Sequence, residues 1–239
     1  QMGNVETYLN SELGPRDVLE FGFENVAIAT GSTWRRDGVA RQHVVPKPID
    51  DGMEIYTPDD LMAGNLPAGD VGLYDDDHYY MGGVLAELLV QAGATVTLVT
   101  PCAYVSDWTN NTLEQASIHK RLVDLGVKIQ LNRGLQSIAA DHVVSDCTYT
   151  GRTETLPATS VVLVTSRATN DGLWRDLQAR QADWADAGIA SIKVIGDAHA
   201  PGPIAWATYA GHRFARELDM PDIGDALPFR REIAQLSPD

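Results

Sequence analysis

The 239 residues carry 18 Lys and Arg against 33 Asp and Glu, a formal net charge of -15, with 44% hydrophobic and 21% charged residues. This is the composition of an ordinary globular chain with room for one large domain or two small ones. The acidic balance excludes nucleic acid and anionic membrane as partners, because both attract clustered Lys and Arg; with no signal peptide and no apolar run of bilayer length, a cytoplasmic protein is expected.

Residues Gln1 to Leu19 show no opening of strand, glycine loop and helix. The first clear pattern is Asn25-Val-Ala-Ile-Ala-Thr-Gly31-Ser-Thr-Trp34, a short apolar strand that ends in small residues. Two readings stand for Ala29, Thr30 and Gly31: a strand with a plain turn glycine, or a place where small residues let the backbone approach a nucleotide, as in flavoproteins with two dinucleotide domains. Arg35, Arg36 and Arg41 follow, either facing a phosphate or pairing with nearby acids. Residues Val44 to Leu66, rich in Pro, Gly and Asp, read as a linker with a short helix around Pro58 to Met62, and a new domain starts near Pro67.

The most informative stretch runs from Val71 through Tyr74-Asp-Asp-Asp-His-Tyr-Tyr-Met-Gly-Gly83 into an apolar helix. Val71, Leu73 and Tyr74 begin a buried strand; Val84, Leu85, Leu88 and Leu89 are expected on one helix face, with Gly93 as the C-cap. A pyridine-nucleotide site would carry G-x-G-x-x-G in the turn between them, so that backbone N–H groups and a helix N-terminus meet a pyrophosphate. Here the glycine positions are Asp75, Asp77 and Tyr80. Three acids suit a solvated helix start but repel a diphosphate, and Tyr80 is expected to fill the space of the last glycine. Clustered carboxylates beside His78 also suggest Mg²⁺ or Ca²⁺, yet the spacing fits no known metal loop. The next strand, Thr95 to Val99, ends in Thr100 and Pro101 where a ribose-binding acid would stand. The unit is read as having kept its packing and lost NAD(P)H.

After Trp108 comes a helix from about Thr112 to Leu125, with Leu113, Ile118, Leu122 and Leu125 inward and Gly126 closing it. Val127 to Leu131 is a strand, Leu135 to Leu156 an antiparallel meander, and Ser160 to Thr165 a strongly apolar strand. Asn170 to Ala187 is helical, burying Leu173, Trp174, Leu177 and Trp184. A strand from Ile192 to Ile195 then meets Gly196 and Asp197. The helix beyond it repeats Ile204, Ala207, Gly211, Phe214 and Leu218, ahead of a Pro- and Asp-containing tail. Asp197 at a strand-to-helix junction either accepts from ribose or ribityl hydroxyls beside a diphosphate, or caps the helix. His199 and His212 are read as surface or packing residues. Cys102 and Cys147 lack any metal-ligand spacing and read as half-buried thiols. An iron–sulfur cluster needs about four thiolates, so this chain alone ligates none.

Taken together, the segments Val26 to Gly38, Tyr56 to Met62, Tyr74 to Gly83 and Ile195 to Pro201 resemble the iron–sulfur flavoprotein amine dehydrogenases, the family of trimethylamine, dimethylamine and histamine dehydrogenase. The related 2,4-dienoyl-CoA reductase keeps a glycine-rich loop where this chain has its acids. The resemblance implies a long parent polypeptide, with an N-terminal barrel carrying FMN and a four-iron cluster, and electrons leaving to an electron-transferring flavoprotein. It also implies an α/β, Rossmann-like dinucleotide-binding fold. In that reading residues 1–66 and 190–239 form an incomplete ADP/FAD-type domain, and residues 67–189 an inserted NAD-domain-like unit with an antiparallel β-meander. ADP, or FAD, would lie against Ala29, Thr30, Gly31, Gly196 and Asp197, with no catalytic or metal-binding residue in this chain. The chain is then expected to be a C-terminal fragment, a processed product or a separate subunit, oligomeric or bound to the missing barrel portion through an exposed apolar edge. Two competing functions are an NAD(P)H:flavin oxidoreductase of the dienoyl-CoA reductase type and a non-catalytic ADP-binding assembly module.

Overall fold

The computed structural model describes residues 3–218 and 220. The chain divides into two compact units, one made of the residues up to Ser32 and from Thr169 onward, the other of Thr33–Ala168. The first unit opens with α1 (Pro15–Phe21), where proline suits the first helical position and the preceding Gly14 N–H donates to Asp17 Oδ2 at 2.7 Å. β1 (Asn25–Ile28) follows, then β2 (Ser32–Trp34). In the second unit come β3 (Glu54–Tyr56), α2 (Pro58–Met62), β4 (Asp70–Asp75), α3 (Met81–Gln91), β5 (Thr95–Val99), α4 (Gln115–Asp124) and β6 (Lys128–Gln130). β7 (Arg133–Ile138), β8 (His142–Cys147) and β9 (Thr153–Pro157) lead to β10 (Ser160–Val164). After β11 (Arg167–Thr169), which pairs with β2, the first unit resumes with α5 (Gly172–Ala179), β12 (Ser191–Val194) and α6 (Ile204–Glu217).

The second unit is built on a five-stranded parallel sheet in the order β3-β10-β4-β5-β6. Its central strands are apolar on both faces, as expected of parallel strands covered on both sides. Val71, Leu73, Val96, Leu98, Val162 and Val164 pack with Leu85, Leu89 and Leu122 of the helices. The alternate residues Tyr74, Val99, Val161 and Leu163 pack with Leu135, Ile138 and Val143 of a three-stranded antiparallel sheet, β7-β8-β9. Gly72 faces the same layer, where a Cβ would stand 3.4 Å from a Val143 methyl, ordinary contact distance. Both helices on the other face end alike. Gly93 N–H bonds Val90 O and Ala94 N–H bonds Leu89 O, while Gly126 and Val127 bond Val123 O and Leu122 O in the same pattern. This double bond pair needs a left-handed residue, which Gly93 (φ 93°) and Gly126 (φ 79°) provide.

The first unit holds the parallel pair β1 and β12, in register from Asn25↔Ser191 to Ile28↔Val194. Val18, Ile28, Leu177, Ile189 and Ile192 form its core, with Leu173, Trp174 and Trp184 against it. Among the described residues β1 has one strand partner.

Several expectations change. The division falls at 32/33 and 168/169 rather than at 66/67 and 189/190, because the supposed linker contains β3, which pairs with β10, and because Leu177 and Ile189 belong to the core of β1 and β12. On α3 the buried face is Gly82, Leu85, Ala86 and Leu89, and Val84 is 56% exposed. The second helix begins at Gln115 after a 3₁₀ turn over Asp107–Asn110, and Leu113, left-handed at φ 63°, is 91% exposed. On α6, Ala207, Gly211 and Phe214 are half-buried while Ile204 and Leu218 are exposed. The tail over residues 221–239 lies outside the described residues. Among the described residues no helix is long and apolar enough to cross a membrane.

The two-sided core makes a direct prediction. Leu163→Ala, at a fully buried site between two layers, should cost about 2–5 kcal/mol of unfolding free energy. Val84→Ala should stay within about 0.5 kcal/mol. Equal effects in urea titrations would overturn the assignment of the helix face.

Candidate functional site

Two places combine strand ends, glycines and polar side chains, one in each unit. In the first unit the parallel register of β1 and β12 delivers Ala29-Thr30-Gly31 and Ile195-Gly196-Asp197 at the C-terminal ends of neighbouring strands. Ligands of open parallel sheets bind at such ends. The Ile195 N–H donates to Ile28 O at 2.9 Å and carries the pairing one step further. Gly31 (φ 78°) and Gly196 (φ 59°) are both left-handed. Among the described residues a Cβ on Gly31 would meet nothing within 4 Å, whereas one on Gly196 would stand 3.7 Å from the Ala207 Cβ of α6. Asn170 ties the first loop down: its N–H donates to Gly31 O at 3.0 Å and its Nδ2 to Thr30 O at 3.2 Å. Asp197 sits in a 3₁₀ turn, Gly196–Ala198, and accepts from Ser32 Oγ at 3.3 Å and Gly202 N–H at 3.2 Å. α6 begins later, at Ile204 behind Pro203, with no side-chain cap. Asp197 is therefore not its N-cap; it braces the loop that leads into the helix.

In the second unit the turn after β4 is rebuilt around carboxylates. Asp75 is 0% exposed; its Oδ1 accepts the N–H groups of Asp77 at 3.1 Å and His78 at 3.2 Å. Its Oδ2 is shut in against α3, where a Cβ on Gly82 would come within 2.3 Å. Asp76, 1% exposed, accepts Gln42 N–H at 2.9 Å on Oδ2 and lies 2.7 Å from His78 Nε2 on Oδ1. Asp77 lies 3.8 Å from Arg41. Arg41 stands over the Tyr79 ring, Tyr79 stacks on Trp108 at 5.5 Å, and Arg167 stands over Trp34.

The expected solvated helix start is thus corrected: Asp75 and Asp76 are buried, and α3 begins only at Met81, with no acid in its first turn. Tyr80 is likewise 42% exposed, its hydroxyl bonded to Glu114, so it fills no glycine space. The close approach that a third glycine would permit falls on Gly82 instead. The basic cluster resolves into pairs, Arg35 with Asp37, Arg36 with Asp60 and Arg41 with Asp77. His199 and His212 are exposed. Sequence reasoning missed Gln42, Asn170 and Ser32, whose partners lie far along the chain, and it missed Gly82; the Gly82-Gly83 doublet at a helix start was the available signal.

Burial pushes the Asp75 carboxyl up to about 7, against the opposing pull of the His78 charge and of the N–H groups it accepts. Burial would lower His78, but the Asp76 carboxylate and the Cys102 sulfur outweigh it and raise the imidazole to about 10. Between pH 3.8 and about 7 the folded state thus keeps a proton on Asp75 that the unfolded chain has lost. Stability should fall as pH rises through that window and stay lowered above it. His78 contributes stability that is full below pH 6.5 and is lost as pH rises toward about 10. Asp75→Asn can still accept both N–H groups without ionising. It should flatten the acidic-to-neutral slope and raise stability above pH 7 by on the order of a few kcal/mol. Denaturant titrations of both proteins across pH check this, and parallel pH profiles would refute it.

Residues 56–145 match the family described as the OYE-like second alpha/beta domain. The chain is 33% identical over 238 residues to dimethylamine dehydrogenase of Hyphomicrobium sp. (strain x), covering 90% of this chain and 32% of that protein. Histamine dehydrogenase from Rhizobium sp. 4-9 superimposes with a TM-score of 0.93 at 64% identity, over 99% of this chain and 37% of that one. The 6-hydroxypseudooxynicotine amine oxidase of Pseudomonas geniculata N1 does so with a TM-score of 0.83 at 39% identity, over 89% of this chain and 31% of that one. The chain therefore spans about a third of the length of these relatives.

Proposed function

From the membership of this chain in the trimethylamine, dimethylamine and histamine dehydrogenase family, through its OYE-like second α/β domain, we propose that it is the nucleotide-fold part of a flavin- and iron–sulfur-dependent amine dehydrogenase. On this reading its two units are Rossmann-like, oxidative N-demethylation or deamination takes place on a barrel portion outside these 239 residues, and an electron-transferring flavoprotein accepts the electrons. The chain by itself is not catalytic. Its two free cysteines, Cys102 and Cys147, do not fit a four-iron cluster, so that centre belongs to the barrel portion, as does FMN.

The observation that carries this reading over an NAD(P)H-dependent reductase is the turn at Asp75. The N–H groups of Asp77 and His78, which a phosphate-binding turn would offer to its ligand, are given to the chain's own carboxyl group. An arriving diphosphate would find the donors taken and a second carboxylate, Asp76, behind them.

The first unit fits an adenine nucleotide better. Gly31 and Gly196 lie at adjacent strand ends. Asp197, braced by Ser32 and Gly202, places a carboxylate acceptor at the same strand ends, the group a sugar hydroxyl would donate to. Ala29, Thr30 and Gly31 would line one side of ADP, or of FAD, and Gly196 and Asp197 the other, with the diphosphate toward the positive end of α6. Calorimetry tests both statements. ADP should bind the full-length protein, Asp197→Ala should weaken it by about 1.5–3 kcal/mol, and neither NADH nor NADPH should bind in the low micromolar range. Tight NADH binding would favour the reductase; unchanged ADP affinity in the variant would leave Asp197 a purely structural brace.

The pair β1 and β12 also bears on partners. Phe21 and Phe23 stack at 5.8 Å yet are 55% and 63% exposed beside it. Such a surface is the expected docking face for the barrel-bearing portion or for a second copy. The 239-residue chain should run as an oligomer in light scattering, and a stable monomer with cooperative melting would count against this.

A further inference from the structure

Two departures from a dinucleotide site meet at one point. The turn after β4 carries acids and His78 where glycines would be, and the stretch after β5 carries Thr100-Pro101-Cys102 where a ribose-binding acid would be. Because β4 and β5 run parallel, with Tyr74 opposite Val99, their following turns lie side by side. Cys102 Sγ lies 3.2 Å from His78 Nδ1 and 3.7 Å from Nε2. Nearly equal distances place the sulfur against the ring as a whole, where an imidazolium spreads its charge over both nitrogens. His78 Nε2 is also 2.7 Å from Asp76 Oδ1.

Every member of this cluster is fixed from outside it. Asp76 is held by Gln42 N–H at 2.9 Å. His78 donates its own N–H to Asp75 at 3.2 Å and keeps a left-handed backbone at φ 69°, which histidine adopts more readily than most residues with a side chain. The backbone of Cys102 donates to Thr100 Oγ1 at 3.4 Å and accepts from Asn132 N–H at 2.9 Å. His78 is 8% exposed and Asp76 1%, so their attraction is little screened by water, while Cys102 is half-buried rather than sealed. A ring nitrogen at hydrogen-bond distance from a thiol, itself oriented by a third group, is the arrangement that activates a cysteine nucleophile.

We propose that Cys102, His78 and Asp76 form a thiol-modification site, in which buried Asp76 pairs with and orients His78, and His78 activates Cys102 toward hydroperoxides and soft electrophiles. This is independent of the amine dehydrogenase reading. With a hydroperoxide, the ionised sulfur attacks the terminal oxygen and an S–O bond forms as the O–O bond breaks. The sulfur loses two electrons and becomes a sulfenic acid. The leaving alkoxide, or hydroxide, takes a proton from His78 and departs as alcohol or water. His78 thus serves as the proton donor of this step, and Asp76, which touches only His78 among the three, as its positioning residue.

The test is site-resolved labelling of the intact protein with limiting iodoacetamide near neutral pH, read by peptide mass spectrometry, with Cys147 as an internal reference. An ordinary thiol is only a few per cent ionised there. With His78 against its sulfur, Cys102 should react roughly tenfold faster than glutathione. His78→Asn, chosen because asparagine tolerates the left-handed turn, and Asp76→Asn should each remove most of that advantage and leave the Cys147 rate unchanged. A dione probe should trap sulfenic acid at Cys102 after dilute hydrogen peroxide, and not in Cys102→Ser. A Cys102 rate no greater than that of glutathione, or one unaffected by both variants, overturns the proposal. Should a variant shift the Cys147 rate as well, the comparison of native Cys102 with glutathione decides alone.

Discussion

The second unit depends on a carboxyl group shut in between a strand end and a helix. Asp75 Oδ2 lies where any Cβ at position 82 would stand 2.3 Å away, so α3 can reach the end of β4 only through a glycine. That approach sets the helix on the sheet, and with it Leu85, Ala86 and Leu89 enter the core against Leu73, Leu98 and Val162. The other oxygen of Asp75 gathers two successive backbone N–H groups. Successive N–H groups in a tight turn form a small anion-binding concavity. Here the concavity is filled from inside the chain, and the turn is held without any ligand. The cost is an acid buried out of water, which shows as a carboxyl pushed up to about 7.

Much of this fold was legible because parallel strands covered on both faces are nearly continuous apolar runs, and β4, β5 and β10 are such runs. Helix ends were legible at Gly93 and Gly126, where chemistry demands a left-handed residue. What escaped was whatever depends on distant partners. β3 is three residues long and joins the sheet only because β10, a hundred residues later, pairs with it. Periodicity also put Val84 in place of Ala86 on the buried face of α3, since hydropathy alone cannot tell which of two neighbouring residues faces the sheet.

For the candidate sites the sequence was legible in kind and not in arrangement. The loss of glycines from the turn after β4 was plain, and it pointed to acids set out toward solvent. Burial reversed that expectation: backbone N–H groups bond one oxygen of each carboxylate and His78 pairs with Asp76, while Asp75 Oδ2 is left without a hydrogen bond. The nearness of Cys102 to His78 could not be read at all, since it needs the parallel register of β4 and β5 to bring two loops together.

The two units thus treat the same feature of an open parallel sheet, the gap beyond its strand ends, in opposite ways. In the second unit the gap is closed: donors are consumed by Asp75, Asp76 lies behind them, and Gly82 is pressed against a side chain. In the first unit, among the described residues, Gly31 has nothing within 4 Å of an added Cβ, and the carbonyls of Thr30 and Gly31 accept from Asn170. A ligand that binds only the folded state adds stability in proportion to the logarithm of its concentration over its dissociation constant. A turn that has internalised its anion no longer draws on that source, whereas a loop held open at a left-handed glycine still can. If a nucleotide binds this chain as proposed, its contribution would therefore fall on the unit built around β1 and β12, while the turn after β4 is held by its own carboxyl group.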